Sequence, residues 1–214
     1  DGSVDVTFTF DATGMKGKDI VVFEKLLVAD YEAAIHEDIE DNGQTIHFPE
    51  IGTEAQSMDG GKTVTISSTM TVVDKVSYKN LIPGQVYVTE GTLMDKATGE
   101  AIRDAEGNVV TAKAQFVPEE ADGEMEVTFT FNGTNLSSMD AVVFEKLFIV
   151  NGSVTAEVAN HEDIEDEAQT ITFRTGVQTG DTMTLGITAA AAAACAGAGV
   201  LFLKKRRGKD LQAK

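Results

Sequence analysis

Parts of this chain repeat one another, and the repeat fixes how much of the sequence can form one folding unit. DGSVDVTFTF at Asp1 matches DGEMEVTFTF at Asp122, and VVFEKL at Val21 recurs at Val142. HEDIEDNGQTIHF at His36 returns as HEDIEDEAQTITF at His161. Only the second copy is preceded by a long segment, Pro49 to Ala121. Residues 1–48 therefore read as the closing half of one repeat, and 49–174 as a complete repeat large enough to bury its own core. The first half lacks the strands that would cover it. Because the chain opens mid-pattern, without an initiator Met or a signal peptide, it reads as a piece of a longer precursor.

Inside the complete repeat the apolar period is two, which is the period of a strand. Val64, Ile66, Met70, Val72, Val76 and Tyr78 share a face. Val86, Val88, Thr92 and Met94 alternate with Tyr87, Thr89, Gly91 and Leu93, and Phe116, Met125, Val127, Phe129 and Phe131 continue the pattern. Turn chemistry separates the runs: IPG at Ile82, KATGE at Lys96, AEGN at Ala105 and NGS at Asn151. Many short strands with such punctuation and no helical period predict an all-β, antiparallel β-sandwich.

The alternation also exposes misfits. Gln169 lies on the same side as Ile171 and Phe173, and Gln44 repeats this with Ile46 and Phe48. Thr53 shares a face with Ile51 and Ala55, and Asp74 with Val72 and Val76. Glu145 lines up with Val143 and Leu147, as Glu24 does in the first copy. Four polar groups of the complete repeat thus point toward a core, and two of them are carboxylates. Burying carboxylates is costly unless they share a proton or find partners. The alternative is that these faces sit on open, wet edge strands.

IGTEAQ, DKVSYKNLIPGQVYVTEGTLMDKATGE, TAKAQFVPEEADGEMEVTFTF, VVFEKL and HEDIEDEAQTITF together resemble the VaFE repeat, or Thr–Gln ester-bond domain. The resemblance spans about 50–174 fully and 1–48 as a second half. It implies an immunoglobulin-like stalk module of Gram-positive adhesins and pili, with first and last strands joined by a self-formed ester. By position the ester would join Thr53 to Gln169, with Asp74, Glu145 and His161 assisting. A Thr hydroxyl needs a base to become a nucleophile, and His161 is the only histidine of the complete repeat. An amide needs its oxygen polarised, which a protonated carboxyl can do. How Asp74 and Glu145 divide these roles stays open at this point. The step is a single self-modification that needs no cofactor. By analogy with a disulfide closing a loop of about 100 residues, the ester would stabilise by roughly 4–5 kcal/mol. The first copy holds Gln44, His36 and Glu24 but no partner Thr or Asp, so it is not expected to form its bond within residues 1–48.

The last part of the chain has a different character. Thr182 to Leu203 contains no charged side chain and at the helical rise is long enough to cross a bilayer, so 182–203 is predicted to be a transmembrane helix. The 204–214 tail begins Lys204, Lys205, Arg206, Arg207, which marks the cytoplasmic side. The only cysteine, Cys195, lies in the apolar segment, so no disulfide can brace the soluble part. Region 175–181 contains VQTGD, and together with the span and the basic tail it resembles a sortase sorting signal of the LPXTG type. Gly176 and Val177 stand where Leu and Pro are usual. The resemblance implies cleavage between Thr179 and Gly180, with sortase and peptidoglycan or a pilin subunit as partners. The expected location is the cell wall, with the membrane holding the C-terminal helix before processing.

Charge narrows the alternatives. The tail holds six of the 17 basic residues and one of the 35 acids, leaving an acidic body that argues against nucleic acid. A competing reading is a membrane-anchored module whose acidic repeats bind a ligand through a cation, drawn from the HEDIED run at His161 to Asp166. That run lacks the Gly and ligand spacing of a calcium loop. A hydrolase has no free constellation once these residues are used internally. Any host ligand would bind through regions N-terminal to this sequence.

Overall fold

The computed structural model describes residues 2–176 of the chain. The first copy supplies four short strands: β1 (Lys18–Val21), β2 (Glu24–Val28), β3 (Tyr31–His36) and β4 (Thr45–Phe48). They form two separate hairpin-like pairs, β1 with β4 and β2 with β3. Val6, Phe8 and Phe10 form no strand and stand exposed. Period-two patterning gives a strand only when a neighbour takes up its backbone hydrogen bonds.

In the complete repeat those neighbours are present. Its strands are β5 (Glu50–Ser57), β6 (Thr63–Ile66), β7 (Met70–Lys79), β8 (Val86–Asp95), β9 (Thr111–Phe116), β10 (Gly123–Phe131), β11 (Met139–Asn151), β12 (Val154–His161) and β13 (Thr170–Thr175). One sheet runs β10–β7–β5. The other runs β6–β13–β11–β8–β9, with β12 continuing along β11 past the end of β13. The two inner faces meet over a core that includes Met70, Val72, Tyr87, Leu93, Phe129 and Phe173, all buried. This is an all-β, immunoglobulin-like sandwich, with strands alternating inward and outward as the sequence predicts.

One pairing departs from the antiparallel pattern: β6 runs parallel to β13, with Thr63 opposite Thr172. The chain crosses from the first sheet to the second between β5 and β6, so its opening segment contributes to both sheets and lies beside the closing strand. The predicted turns form where expected, and the glycines of IPG and AEGN, Gly84 and Gly107, sit at φ 79° and 88°, a region that favours glycine. Among the described residues no helix is long and apolar enough to cross a membrane. The predicted helix at 182–203 and the sorting residues Thr179 and Gly180 lie outside the described residues.

Candidate functional site

Thr53 and Asp74 come from the first sheet. Thr53 lies opposite Val76, and Asp74 opposite Ala55, so both side chains project from neighbouring inward positions of β5 and β7. Glu145 and Gln169 come from the second sheet. Val143 donates its backbone N–H to the Gln169 carbonyl at 3.1 Å, and Glu145 is the next inward residue along β11. The sandwich therefore brings all four polar misfits to one place in its interior. Asp74, Glu145 and Gln169 are completely buried and Thr53 is 8% exposed, so wet, open faces are not what these strands present.

Across this interior the Gln169 amide Nε2 donates a hydrogen bond to the Thr53 hydroxyl. Gln169 Oε1, both carboxyl oxygens of Asp74 and Glu145 Oε1 are buried without a hydrogen-bond partner. Unpaired buried acceptors are expensive, and several in one enclosed volume call for a proton among them. Burial pushes the Asp74 carboxyl up to about 9, aided by the charge of nearby Glu145, while Lys62 opposes the rise. Burial also raises Glu145, to about 7, and the hydrogen bond from Thr89 holds it back. The Thr89 hydroxyl donates to Glu145 and no donor reaches Asp74, which favours the charge on Glu145 and the shared proton on Asp74. A protonated carboxyl is then available to polarise the amide oxygen or to protonate departing ammonia.

Three residues that the sequence patterns did not single out shape this site. The Thr89 hydroxyl, fully buried on β8, donates to Glu145 Oε2 at 2.7 Å. Gly91 lies opposite Glu145 in register, and a Cβ there would collide with Glu145 Oε1 and with the ring of Phe129. Lys62 Nζ donates to the carbonyls of Ala55 at 2.5 Å and Ala168 at 2.6 Å, holding the first strand beside the residue before Gln169. The backbone adds Ala55 N–H to Ala168 carbonyl at 3.0 Å.

His161 pairs with Glu145 in the β11–β12 register, but its ring Nε2 is bonded to Asp166 at 2.8 Å. It lines the same surface-open cavity as Thr53, of about 360 Å³, together with Gly52, Lys75, Ser77 and Ala168. The structure thus puts His161 at the mouth of the site, with no hydrogen bond to Thr53. The acidic run that follows is a turn: Asp163 accepts from Glu165 N–H at 3.0 Å and Asp166 from Ala168 N–H at 2.7 Å. Among the described residues no group of three or more His, Cys, Asp or Glu is arranged to hold a metal ion.

A Thr hydroxyl held against a Gln amide brings together the two residue types for which a known family is named. The family model of the T-Q ester bond containing domain matches residues 1–48 and again 49–173. The chain belongs to this family. The boundary between the two matches falls at Pro49, where the internal repeat divides. A second family model, the LPXTG cell wall anchor motif, matches residues 178–210, which makes this T-Q ester bond domain protein a cell-wall surface protein. Two solved structures of a bacterial adhesin from Mobiluncus mulieris, containing intramolecular disulfide, isopeptide and ester bond cross-links, are similar to it at 20% and 21% identity. Each alignment covers 60% of this chain and 57% of the adhesin chain, with TM-scores of 0.48 and 0.45. No curated protein matches the chain.

Proposed function

We propose that residues 49–174 form a covalently locked stalk module at the wall-proximal end of a Gram-positive surface adhesin or pilin-like protein. The lock is an ester between the Thr53 hydroxyl and the Gln169 side chain. The observation that carries this reading is the Gln169 amide against the Thr53 hydroxyl in a dry interior that also holds two carboxyls. Thr53 Oγ attacks Cδ of Gln169, the Cδ–Nε2 bond breaks, and the Thr proton leaves with the nitrogen as ammonia. Asp74 supplies the proton that steadies the developing oxyanion, Glu145 receives one, and His161 at the cavity mouth relays protons to solvent. The protein turns over once, on itself.

The product suits a tethered stalk. Thr53 is in the opening strand and Gln169 immediately precedes the closing one, so tension applied at the two ends would pass through the ester before it could peel a strand away. Attachment would pass to Thr179 when sortase cleaves before Gly180, with residues 182–203 serving as a temporary membrane hold. Peptidoglycan or a pilin subunit would be the acceptor.

Intact-protein mass spectrometry tests the lock. The expected result is a mass lower by one ammonia, restored to the full value by Thr53→Ala. A folded wild-type protein that keeps its full mass would falsify the ester. For the anchor, mature protein should remain with peptidoglycan after membrane lipids are extracted, and recovery only in the membrane fraction would overturn the sortase step.

A further inference from the structure

A single lysine ties the opening strand of the complete repeat to its closing segment. Lys62 follows the turn after β5, and that turn is held at both ends. Ser57 N–H donates to the Gly61 carbonyl at 2.8 Å, and Gly61 N–H donates to Ser57 Oγ at 3.0 Å. The Lys62 carbonyl then accepts from Thr172 N–H of β13 at 2.8 Å. With the backbone of Lys62 anchored to the closing strand, its ammonium donates to the carbonyls of Ala55 and Ala168.

Those two carbonyls stand beside the two partners of the ester. Ala55 is the next inward residue after Thr53 on β5, and Ala168 immediately precedes Gln169. The Ala168 carbonyl also accepts Ala55 N–H at 3.0 Å, so it serves two donors, which its two lone pairs allow. Hydrogen bonds from an ammonium are roughly twice as strong as neutral ones. Glu54 does not compete for it: the carboxylate lies 3.9 Å away on a side chain that is 63% exposed, and such surface pairs contribute little. Without Lys62, one backbone hydrogen bond would be left to set the spacing between β5 and the residue before Gln169. Reacting groups misplaced by about 1 Å can react roughly a hundredfold more slowly.

The same ammonium acts on the carboxyl pair through its charge. Burial, Glu145 on β11 and Asp166 in the turn before β13 all favour the proton on Asp74, and Lys62 opposes them. Asp166 is in turn bonded to His161 at the cavity mouth, and Lys75, the neighbour of Asp74 on β7, is exposed on the outward face.

We propose that Lys62 is a positioning residue for the self-made ester, seating Thr53 against Gln169 by binding the carbonyl beside each of them at once. This rests on the ester reading of the complete repeat. Its charge also limits the pH to which Asp74 keeps the proton that the reaction uses.

The test follows ammonia loss by intact mass after refolding the full chain at a series of pH values, for the wild type, Lys62→Met and Lys62→Arg. Methionine fills similar space without donors or charge, and arginine keeps both. Lys62→Met should cross-link at least about tenfold more slowly at neutral pH, and Lys62→Arg should restore most of the rate. Removing the cation lets Asp74 hold its proton longer, so the alkaline fall in rate should move above about 9 in Lys62→Met and stay in place in Lys62→Arg. Urea midpoints of the same substitutions in the Thr53→Ala background show that the uncross-linked chain folds. Should Lys62→Met not fold there, Lys62→Gln, which keeps a donor but no charge, replaces it under the same criteria. Cross-linking at the wild-type rate would overturn the proposal. So would a slow variant whose pH profile has not moved, because lost stability alone would then account for it. A wild-type chain that keeps its full mass at every pH would instead remove the ester reading on which the proposal rests.

Discussion

The Gln169 side-chain amide donates to the Thr53 hydroxyl across 116 positions of sequence, from the residue before the closing strand to the middle of the opening one. Few contacts in a sandwich span the chain so completely. A covalent bond at this point closes nearly the whole repeat into one loop, and both residues sit where the neighbouring strands hold them before any bond forms.

Removing either partner should therefore cost stability out of proportion to its size. Thr53→Ala removes only a hydroxyl and a methyl yet forfeits the cross-link, for a loss of roughly 4–5 kcal/mol by the loop-closure argument. In a domain of this size that corresponds to a fall in Tm of roughly 10–20 °C. Gln169→Ala should lose at least as much, since it also opens a cavity. Calorimetry checks this, and a Thr53→Ala protein that melts with the wild type would mean that no bond had formed.

The buried carboxyl pair gives a pH dependence of definite sign. In the unfolded chain both groups ionise in the ordinary carboxylate range, whereas folding raises Asp74 to about 9 and Glu145 to about 7. The folded state holds protons that the unfolded state releases, so their contribution is most favourable below about pH 4 and declines as pH rises from there toward about 9. In the uncross-linked Thr53→Ala background, Asp74→Asn should flatten that decline. Urea midpoints at about pH 5 and about pH 9 measure it, and equal slopes in the two proteins would show that Asp74 does not hold the proton.

Much of this site was legible because strands alternate. Thr53, Asp74, Glu145 and Gln169 stood out as polar positions in apolar registers, and the sandwich buries all four. Thr89 did not stand out. Its register, Tyr87–Thr89–Gly91–Leu93, lies opposite Val86–Val88–Glu90–Thr92–Met94, where Glu90 marks the outward face, but a threonine is at home in a strand and does not by its type announce a buried partner. Lys62 was hidden for another reason: its partners are backbone carbonyls of Ala55 and Ala168, which leave no trace in side-chain pattern. The parallel β6–β13 pair was likewise invisible, because a four-residue strand carries no signal of its neighbour's direction. Nor does the motif VTFTF by itself decide its own structure. It is a strand at Val127 and an uncovered segment at Val6, and the difference lies in whether β7 is beside it.

Thr89 is predicted to be a positioning residue for the self-reaction. Its hydroxyl donates to Glu145 Oε2 and holds that carboxyl lower than burial alone would. Thr89→Val keeps the shape and removes the donor, so Glu145 should rise and be ionised, and thus able to accept a proton, in fewer molecules at neutral pH. A buried hydrogen bond to a charged group is worth about 1.5–3 kcal/mol, which translates to cross-linking slower by roughly tenfold or more. The time course of ammonia loss after refolding reads the rate, and Thr89→Ser should restore most of it. A shift of the pH–rate profile to higher pH in Thr89→Val separates this role from simple destabilisation.

Gly91 offers the last test, because its side-chain position is already occupied by the site. A methyl group there would overlap Glu145 Oε1 from the adjacent strand and the Phe129 ring from the opposite sheet. Neither neighbour has room to yield, since Glu145 is tied to Thr89 and both are fully buried. Gly91→Ala should therefore cost about 1–3 kcal/mol by overpacking and displace Glu145 from Asp74. The expected readout is a folded fraction that retains its ammonia. Gly52→Ala is the matched control beside Thr53, for its added methyl would meet only the Ser77 hydroxyl, at 3.2 Å. If Gly91→Ala and Gly52→Ala cross-link equally well, the placement of Glu145 is not what limits the reaction.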